Sequence, residues 1–333
     1  MKKIIVLVFA VLLGVFTCFS ACGKIAGCTI TFTQDGEDTI EISARKGAKF
    51  SSIKDIPYPV QPTDSTLITE WNVDDDFIIE ENCIIDTTTY TKGLSFEKYY
   101  DTDEKHDGYE VVMRKGYVGL GTNAVVPEFY KGLPVYKIGI QSFYQKKGAT
   151  PTGDTPILES VSLPDTINEI KEWGFFNGNI KNINIPSNLK RIGDRAFQEI
   201  NVKGTITIPG AVQEIPYRAF WDSAMEYLIL KDGVKTIEDG AIGHNRNLIA
   251  VVIPKTIEEI GGTAFSASPK LKTIFYSGTE SEWIFLNVTD SKEGEYHFSQ
   301  LAEEIDVYFY SETQPNAEGN FWHYVNDKPF IWP

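Results

Sequence analysis

Cysteine and histidine are the residue types with which this 333-residue chain could bind a metal or attack a substrate. The chain has four of each: Cys18, Cys22, Cys28, Cys83, His106, His244, His297 and His323. The histidines are far apart, none lies at metal-ligand spacing, and no Cys-x-x-Cys pair is present. The sequence also has no Gly-x-Ser-x-Gly elbow, no His-Glu-x-x-His motif and no phosphate-binding glycine loop. These patterns predict a protein that is not an enzyme and that uses no metal or cofactor.

The N-terminal segment predicts export and a lipid anchor. Two lysines follow the initiator methionine, and residues 4–19 are almost wholly apolar but short for a membrane span. A Phe-Ser-Ala triplet precedes Cys22 and resembles a bacterial lipobox, with phenylalanine in place of the usual leucine. We therefore predict a signal peptide over residues 1–21, a lipid on Cys22, a tether over residues 22–27, and a location on the extracellular face of the cell envelope. Ordinary secretion with cleavage near Ala21 is the alternative.

The charge argues against nucleic acid as a partner. The chain has a formal net charge of −15. Without residues 1–21, which hold two lysines and no acid, 29 basic and 46 acidic residues remain, so the charge is −17. An acidic chain repels phosphate backbones and anionic lipid, so any contact with a membrane is expected through the lipid anchor only.

A repeat around a proline sets the architecture. Its first half is apolar-x-x-apolar-x-apolar, followed by a slot that holds proline in most copies, at positions 164, 186, 209, 231, 254 and 277. The slots are 22 or 23 residues apart. The alternation predicts a short strand with one buried face, and proline ends the strand because it has no N–H to donate. An insertion over residues 146–156 separates an earlier, degenerate copy from the others.

Each slot is followed by a second apolar pair and then by a small residue before a large one. These last pairs are Gly174-Phe175, Ala196-Phe197, Ala219-Phe220, Ala241-Ile242 and Ala264-Phe265. One coil cannot bury so much apolar surface alone, so neighbouring coils must stack. We expect Phe197, Phe220 and Phe265 to form a continuous buried stack. Lys231 and Ile242 break the pattern and predict one irregular coil.

The repeats resemble the BspA-like, or Treponema-type, bacterial leucine-rich repeats. The strings IGDRAF at residues 192–197 and IGGTAF at residues 260–265 are close matches, and the resemblance covers roughly residues 94–277. It implies a mainly β fold, a leucine-rich-repeat solenoid with 22–23-residue coils over residues 127–277. Members of the family are typically exported, and several are implicated in adhesion.

Residues 28–92 resemble a different module, the Listeria–Bacteroides (internalin B-type) repeat, which is small and β-grasp-like. The resemblance rests on a Thr-x-Thr-Phe opening directly after Cys28, on Trp71, and on a closing Asp-x-Thr-x-Tyr strand. It implies a stalk or an auxiliary binding domain, with Trp71 in the core. In a β-grasp arrangement the first and last strands run parallel, which would bring Cys28 close to Cys83. A disulfide between them is permitted in an exported protein if the Cα atoms lie within about 7 Å.

The segments on either side of the coils predict caps, since the end coils would otherwise expose sheet edges. Residues 94–126 predict an N-terminal capping hairpin around Asp107-Gly108. Residues 278–333 predict a C-terminal cap, with a short helix, a strand over residues 306–310 and a final aromatic hairpin around Asn326-Asp327. Carbohydrate stacking by these aromatics is the alternative.

The outward-facing strand positions change from polar to apolar along the solenoid. The position nearest the proline slot is, in coil order, Ser162, Asn184, Thr207, Ile229, Val252 and Phe275. Tyr227 and Ile249 lie beside the last three of these residues. An apolar patch of this size indicates either a binding site or a surface that residues 278–333 cover. The candidate binding face is therefore Tyr227, Ile229, Ile249, Val252 and Phe275.

Together these features predict a lipid-anchored surface protein that binds a protein or glycan partner through its solenoid. One alternative is a structural envelope protein that self-associates through the same sheet face. Another is a glycan-active enzyme, because sequence cannot show whether two carboxylates have glycosidase geometry.

Overall fold

The fold is a stack of short parallel strands preceded by a small β module. The computed structural model describes residues 27–34, 37–101, 105–112, 122–144, 158–289, 305–316, 318–326 and 328–333. The signal peptide, Cys22 and the insertion over residues 146–156 lie outside these residues. Within the described part of the chain, no helix is both long enough and apolar enough to cross a membrane.

Seven short strands form the N-terminal module: β1 (Gly27–Gln34), β2 (Glu37–Arg45), β3 (Ala48–Lys49), β4 (Leu67–Trp71), β5 (Ile78–Ile79), β6 (Cys83–Ile85) and β7 (Thr87–Thr91). β1 lies between the antiparallel β2 and the parallel β6. β3 pairs with β5, and β4 pairs with β7, as two further antiparallel sheets. The sequence predicts a single β-grasp-like unit, whereas the structure divides its strands among three sheets. The strand that runs parallel to β1 is β6, which contains Cys83, and not the closing strand β7.

The packing is continuous across the boundary predicted at residue 92. Tyr90 in β7 and Leu94 both belong to the main core of the solenoid. The backbone N–H of Val125 also donates to the Thr91 hydroxyl at 2.7 Å. The last strand of the module is therefore also the first surface on which the solenoid packs.

An antiparallel strand pair follows the module, but Asp107-Gly108 is not its turn. β8 (Ser95–Asp101) pairs antiparallel with β9 (His106–Val112), and after β10 (Asn123–Val125) and β11 (Phe129–Tyr130) the parallel neighbour of β9 is β12 (Leu133–Ile138). The prediction of a turn at Asp107-Gly108 is wrong, because Gly108 pairs with Tyr99 inside the hairpin ladder. A Cβ atom at residue 108 would lie 2.5 Å from the Tyr136 ring. The glycine is required by that close approach and not by a turn.

In the described part of the chain, each coil contributes two short strands, and the strands of successive coils pair in parallel within four sheets, two on each side of the solenoid. In chain order the strands are β13 (Ser160–Ser162), β14 (Glu169–Ile170), β15 (Asn182–Ile183), β16 (Arg191–Ile192), β17 (Thr205–Ile208), β18 (Glu214–Ile215), β19 (Tyr227–Leu230), β20 (Thr236–Ile237), β21 (Ala250–Ile253), β22 (Glu259–Gly261) and β23 (Thr273–Tyr276). The odd-numbered strands precede the proline slots and form one side of the solenoid, and the even-numbered strands form the other. The core lies between the two sides, where the apolar residues of both half-motifs meet.

A column of phenylalanine rings runs through this core. Phe143, Phe175, Phe197 and Phe220 are fully buried, and successive ring centroids are 5.1, 5.5 and 5.1 Å apart with nearly parallel planes. The prediction that Phe197, Phe220 and Phe265 form a continuous stack is wrong at one coil, because Ile242 lies between Phe220 and Phe265. The column instead begins two coils earlier than predicted.

The coil that contains Lys231 keeps a regular ladder, because Ile229 pairs with Thr207 on one side and with Val252 on the other. Its irregularity is confined to the turn after the strand. There Gly233 adopts φ +116°, a value that favours glycine.

The stack continues past Ser277, where the sequence analysis ends the repeat. A short helix, α1 (Glu280–Ile284), starts at a capping box between Thr279 and Glu282. β24 (Asn287–Thr289) then adds a parallel strand to β22, and β25 (Asp306–Tyr310) adds one to β23. β26 (Phe321–Val325) pairs in parallel with β25, and β27 (Lys328–Ile331) reverses direction to close the predicted hairpin.

Candidate binding surface

The front face, which we define as the outward surface of β17, β19, β21, β23 and β25, carries the five predicted contact residues. Ile229, Val252 and Phe275 stand side by side on adjacent strands, and each is less than a tenth exposed. Tyr227 is the first residue of β19, Ile249 directly precedes β21, and the two remain 37% and 40% exposed. The structure therefore brings the five residues together but leaves only two of them open to solvent.

Trp322 of the terminal hairpin covers the centre of the front face. Its side chain is fully buried in one cluster with Ile229, Val252 and Phe275. Its ring lies 5.4 Å from the Phe275 ring, and its Nε1 donates to the Tyr276 carbonyl at 2.8 Å. This is the arrangement expected if residues 278–333 fold back onto the apolar stripe, which we define as Ile229, Val252 and Phe275. Ligand binding at the uncovered part of the face stays a prediction.

The sheet reaches this arrangement by curling over its own face. β26 is the fourth strand after β19, so a flat sheet would separate the two by about 19 Å. Lys231, directly after β19, nevertheless places its Nζ atom 5.7 Å from the centre of the Tyr324 ring in β26. The hairpin must therefore bend back toward β19, in the direction that strand twist and coiling allow.

Two tyrosines form an exposed rim beside Trp322. Tyr310 and Tyr324 meet the Trp322 ring edge-on at 5.2 and 4.7 Å, and their own centroids are 6.1 Å apart. They are 39% and 36% exposed. The sequence predicts that Tyr310 and Tyr324 belong to the C-terminal cap, with carbohydrate stacking as the alternative for the cap aromatics, but does not pair the two on one surface. The alternation of tyrosine with other residues in β25 and β26 was the available signal, since it puts Tyr310 and Tyr324 on one face.

The polar outward positions of the earlier coils are partly structural. The Asn184 side chain donates to the Leu163 carbonyl at 2.6 Å and accepts from the Leu163 N–H at 2.8 Å. The amide thus substitutes for a backbone partner between neighbouring coils. Ser162 and Thr205 remain exposed on the same side of the solenoid.

A second surface feature lies at the turns that follow the even-numbered strands of the coils. Aromatic rings and guanidinium groups alternate there across successive coils, with centre-to-centre contacts of 4.0 to 5.2 Å, in the order Trp173, Arg195, Tyr217, Arg218, Trp221 and His244. The repeat pattern does not identify this row. Trp173, Arg195 and Arg218 share one repeat position, two residues before the large residue of each coil, but Tyr217, Trp221 and His244 do not. His244 is exposed and stacks on Trp221, while the neighbouring Asn245 is buried and donates to the Ile242 carbonyl at 2.7 Å.

Carboxylates cluster beside this row. Burial, a hydrogen bond to Glu214 and the charge of Glu214 raise the pKa of Glu238 above its usual range. Burial, together with the charges of Glu238 and Glu172, likewise raises the pKa of Asp194. These carboxylates repel one another when all are ionised. Across the described residues, no group of three or more His, Cys, Asp or Glu side chains could hold a metal ion.

Cys28 and Cys83 belong to the same small core of the N-terminal module, and both are free thiols. Cys83 lies opposite Ile30 across the β1–β6 ladder, and Cys28 is two residues before Ile30 on the same side of β1. Burial raises the pKa of the Cys83 thiol, with smaller contributions from Cys28 and Glu81. The thiol is therefore protonated and weakly nucleophilic at neutral pH.

Comparison with known proteins supports the repeat assignment. Residues 153–272 match the family model described as the BspA type leucine rich repeat region, in six copies. No curated protein matches the sequence.

Several solved structures are similar to this chain, among them the following three. The leucine rich repeat protein TpLRR of T. pallidum is 24% identical over 54% of this chain and 78% of its own, with a TM-score of 0.45. A leucine rich cell surface protein of Faecalibacterium prausnitzii A2-165 is 25% identical over 56% of this chain and 54% of its own, with a TM-score of 0.38. The pneumococcal vaccine antigen PcpA is 18% identical over 59% of this chain and 50% of its own, with a TM-score of 0.45. The chain spans about half the length of the last two proteins.

Proposed function

We propose that this protein is an exported surface lipoprotein that binds a protein or glycan partner at the front face of its solenoid. The observation that carries the proposal is the set of exposed tyrosines held on a rigid, stacked sheet: Tyr227 at one end of the strands, and Tyr310 and Tyr324 at the other. Tyrosine gives a large, stiff contact area at low cost in conformational entropy. The match of residues 153–272 to BspA-type repeats supports a binding role by family analogy alone.

Self-association through the apolar stripe is the weaker candidate, because the hairpin already buries the central residues of the stripe. A glycan hydrolase is also weaker. The carboxyl groups of Glu214 and Glu238 lie close enough for Glu214 to raise the pKa of Glu238, whereas the paired carboxyls of glycosidases are about 5 Å or more apart to admit the sugar bond.

A binding array tests the proposal with two matched double variants. The purified chain is applied to immobilised extracellular-matrix proteins and cell-wall glycans, and its melting temperature is measured in parallel. Tyr227→Ser with Ile249→Ser alters only exposed residues, so we expect weaker binding at an unchanged melting temperature. Ile229→Asn with Val252→Thr alters the surface under Trp322, so we expect a lower melting temperature and protease sensitivity in residues 278–333.

Binding that is untouched by the Tyr227 and Ile249 changes would place the contact elsewhere on the molecule. An apolar stripe that tolerates the Ile229 and Val252 changes without loss of stability or protease resistance would contradict the role given to Trp322. Concentration-dependent sedimentation of the unmodified chain would favour the self-association alternative.

A further inference from the structure

The tyrosine rim, Tyr310 and Tyr324, has the construction of a ligand subsite. Both rings stand on strands of the same sheet and not on a loop, and the buried Trp322 meets each of them edge-on. Trp322 is itself fixed by its hydrogen bond to the Tyr276 carbonyl. Because the rings are already oriented, a ligand that stacks on them loses little free energy in ordering the site.

Lys231 adds a polar group at the same place. Its slot holds proline in four other coils, at positions 164, 186, 209 and 254, and only here does a lysine occupy it. The structure places the Lys231 ammonium over the Tyr324 ring, at the edge of the rim. An ammonium group has three donors and can hold one ring while it still donates to a bound molecule.

The charge and the exposed area decide which class of ligand fits. With a net charge of −17 once the signal peptide is removed, the chain disfavours acidic polymers. A protein partner usually buries about 800 Å² on each side. The broad apolar centre that could supply such an area is already under Trp322. At this end of the face the open surface consists of the two phenol rings and the exposed Val325, Phe330 and Ile331 of the hairpin. The pair of phenol rings is on the scale of sugar rings.

We infer that the rim is a subsite for a neutral polysaccharide. The C–H face of a pyranose ring stacks on the phenol rings, because the face of an aromatic ring carries partial negative charge. The Tyr310 hydroxyl and the Lys231 ammonium supply hydrogen bonds to sugar hydroxyls. This inference rests on the proposed function and names the ligand class at one end of the front face.

Native electrophoresis in gels that contain a soluble polysaccharide tests it directly. The probes are a neutral β-glucan, a neutral α-mannan and an anionic polygalacturonate. We expect at least one neutral probe to retard the unmodified protein and the anionic probe to leave it unaffected. Tyr324→Phe keeps the ring and should keep most of the retardation. Tyr324→Leu keeps apolar packing against Trp322 but removes the flat ring, so affinity should fall about tenfold, as the loss of one aromatic contact gives.

The control is Tyr100→Ala, which removes an exposed tyrosine from β8, an edge strand near the start of the solenoid, and should change nothing. Retardation by neither neutral probe, or equal retardation of the Phe and Leu variants, would overturn the inference. If the binding array detects a protein ligand that depends on Tyr227 and Ile249 but not on Tyr324, the proposed function stands and the glycan subsite fails.

Discussion

The folded structure disfavours the ionised form of the Glu238 carboxyl group. Its raised pKa means that the folded chain binds the proton more tightly than the unfolded chain does. The associated stabilisation is therefore complete below the usual glutamate pKa near 4.5 and is lost as the pH rises through the raised value. Glu238→Gln keeps an acceptor for the Tyr217 N–H, which Glu238 binds at 2.7 Å, and offers Glu214 a donor.

We therefore expect the Gln variant to melt about 2 °C higher than the unmodified protein at pH 7, the shift that a fraction of a kcal/mol gives. The difference should shrink toward pH 4. Thermal unfolding at several pH values is the measurement. Glu214→Gln should behave in the same way, whereas Glu258→Gln, which removes an exposed 2.9 Å ion pair with Lys235, should not. A Gln variant less stable than the parent at pH 7 would contradict the repulsion.

For single residues, the sequence predicts which side chains are buried better than it predicts which side chains are their neighbours. Repeat phase places Phe197 and Phe220 in the core, because apolar spacing alone decides which side of a strand is buried. It cannot place Glu238 beside Glu214, since that contact joins neighbouring coils at positions with no shared apolar pattern. It also misassigns Gly108, because a glycine demanded by a neighbouring ring looks in sequence like a glycine demanded by a turn.

The phenylalanine column is the element most directly tied to the repeat. Phe220 is fully buried against Phe197 and faces the coil in which Ile242 ends the run of rings. Phe220→Ala would leave a cavity that the rigid flanking coils cannot close, so we expect a loss of roughly 3–5 kcal/mol in the free energy of unfolding. Chemical denaturation measures it. The exposed Tyr100→Ala serves as the control, and a loss well under 1 kcal/mol at Phe220 would mean that the register is wrong.

The elements outside the repeat show what pattern reasoning lacks. The helix at residue 280, the strand at residue 306 and the final hairpin all form where capping and turn signals indicate them. Their position in space was not predictable, because it depends on the curl of a seven-stranded sheet and on one tryptophan. Sequence analysis consequently left the front face open between a binding site and a covered surface. The structure covers its centre and exposes both ends.

At the scale of the whole molecule, the anchor decides where the front face operates. We predict that Cys22→Ser moves the protein from the membrane fraction to the culture medium, because the variant cannot accept a lipid. Cell fractionation with immunoblotting measures the distribution. Cys18→Ser, which alters the competing cysteine, should leave the protein membrane-bound. Persistence of the Cys22 variant in the membrane fraction would mean that the anchor lies elsewhere.

The reversal of direction at β27 bears on how the molecule ends. A stack of similar parallel strands ends in an edge strand with unpaired backbone groups. A strand from another molecule could add to that edge, as a molecule adds to the end of a one-dimensional crystal. β27 runs antiparallel to β26, and Pro329 removes one backbone donor along it. A strand that continued the parallel stack would therefore meet β27 in the antiparallel direction, with one backbone hydrogen-bond donor missing. The terminal hairpin therefore blocks end-to-end addition of molecules. A solenoid without it would expose a parallel edge strand from which fibres could form.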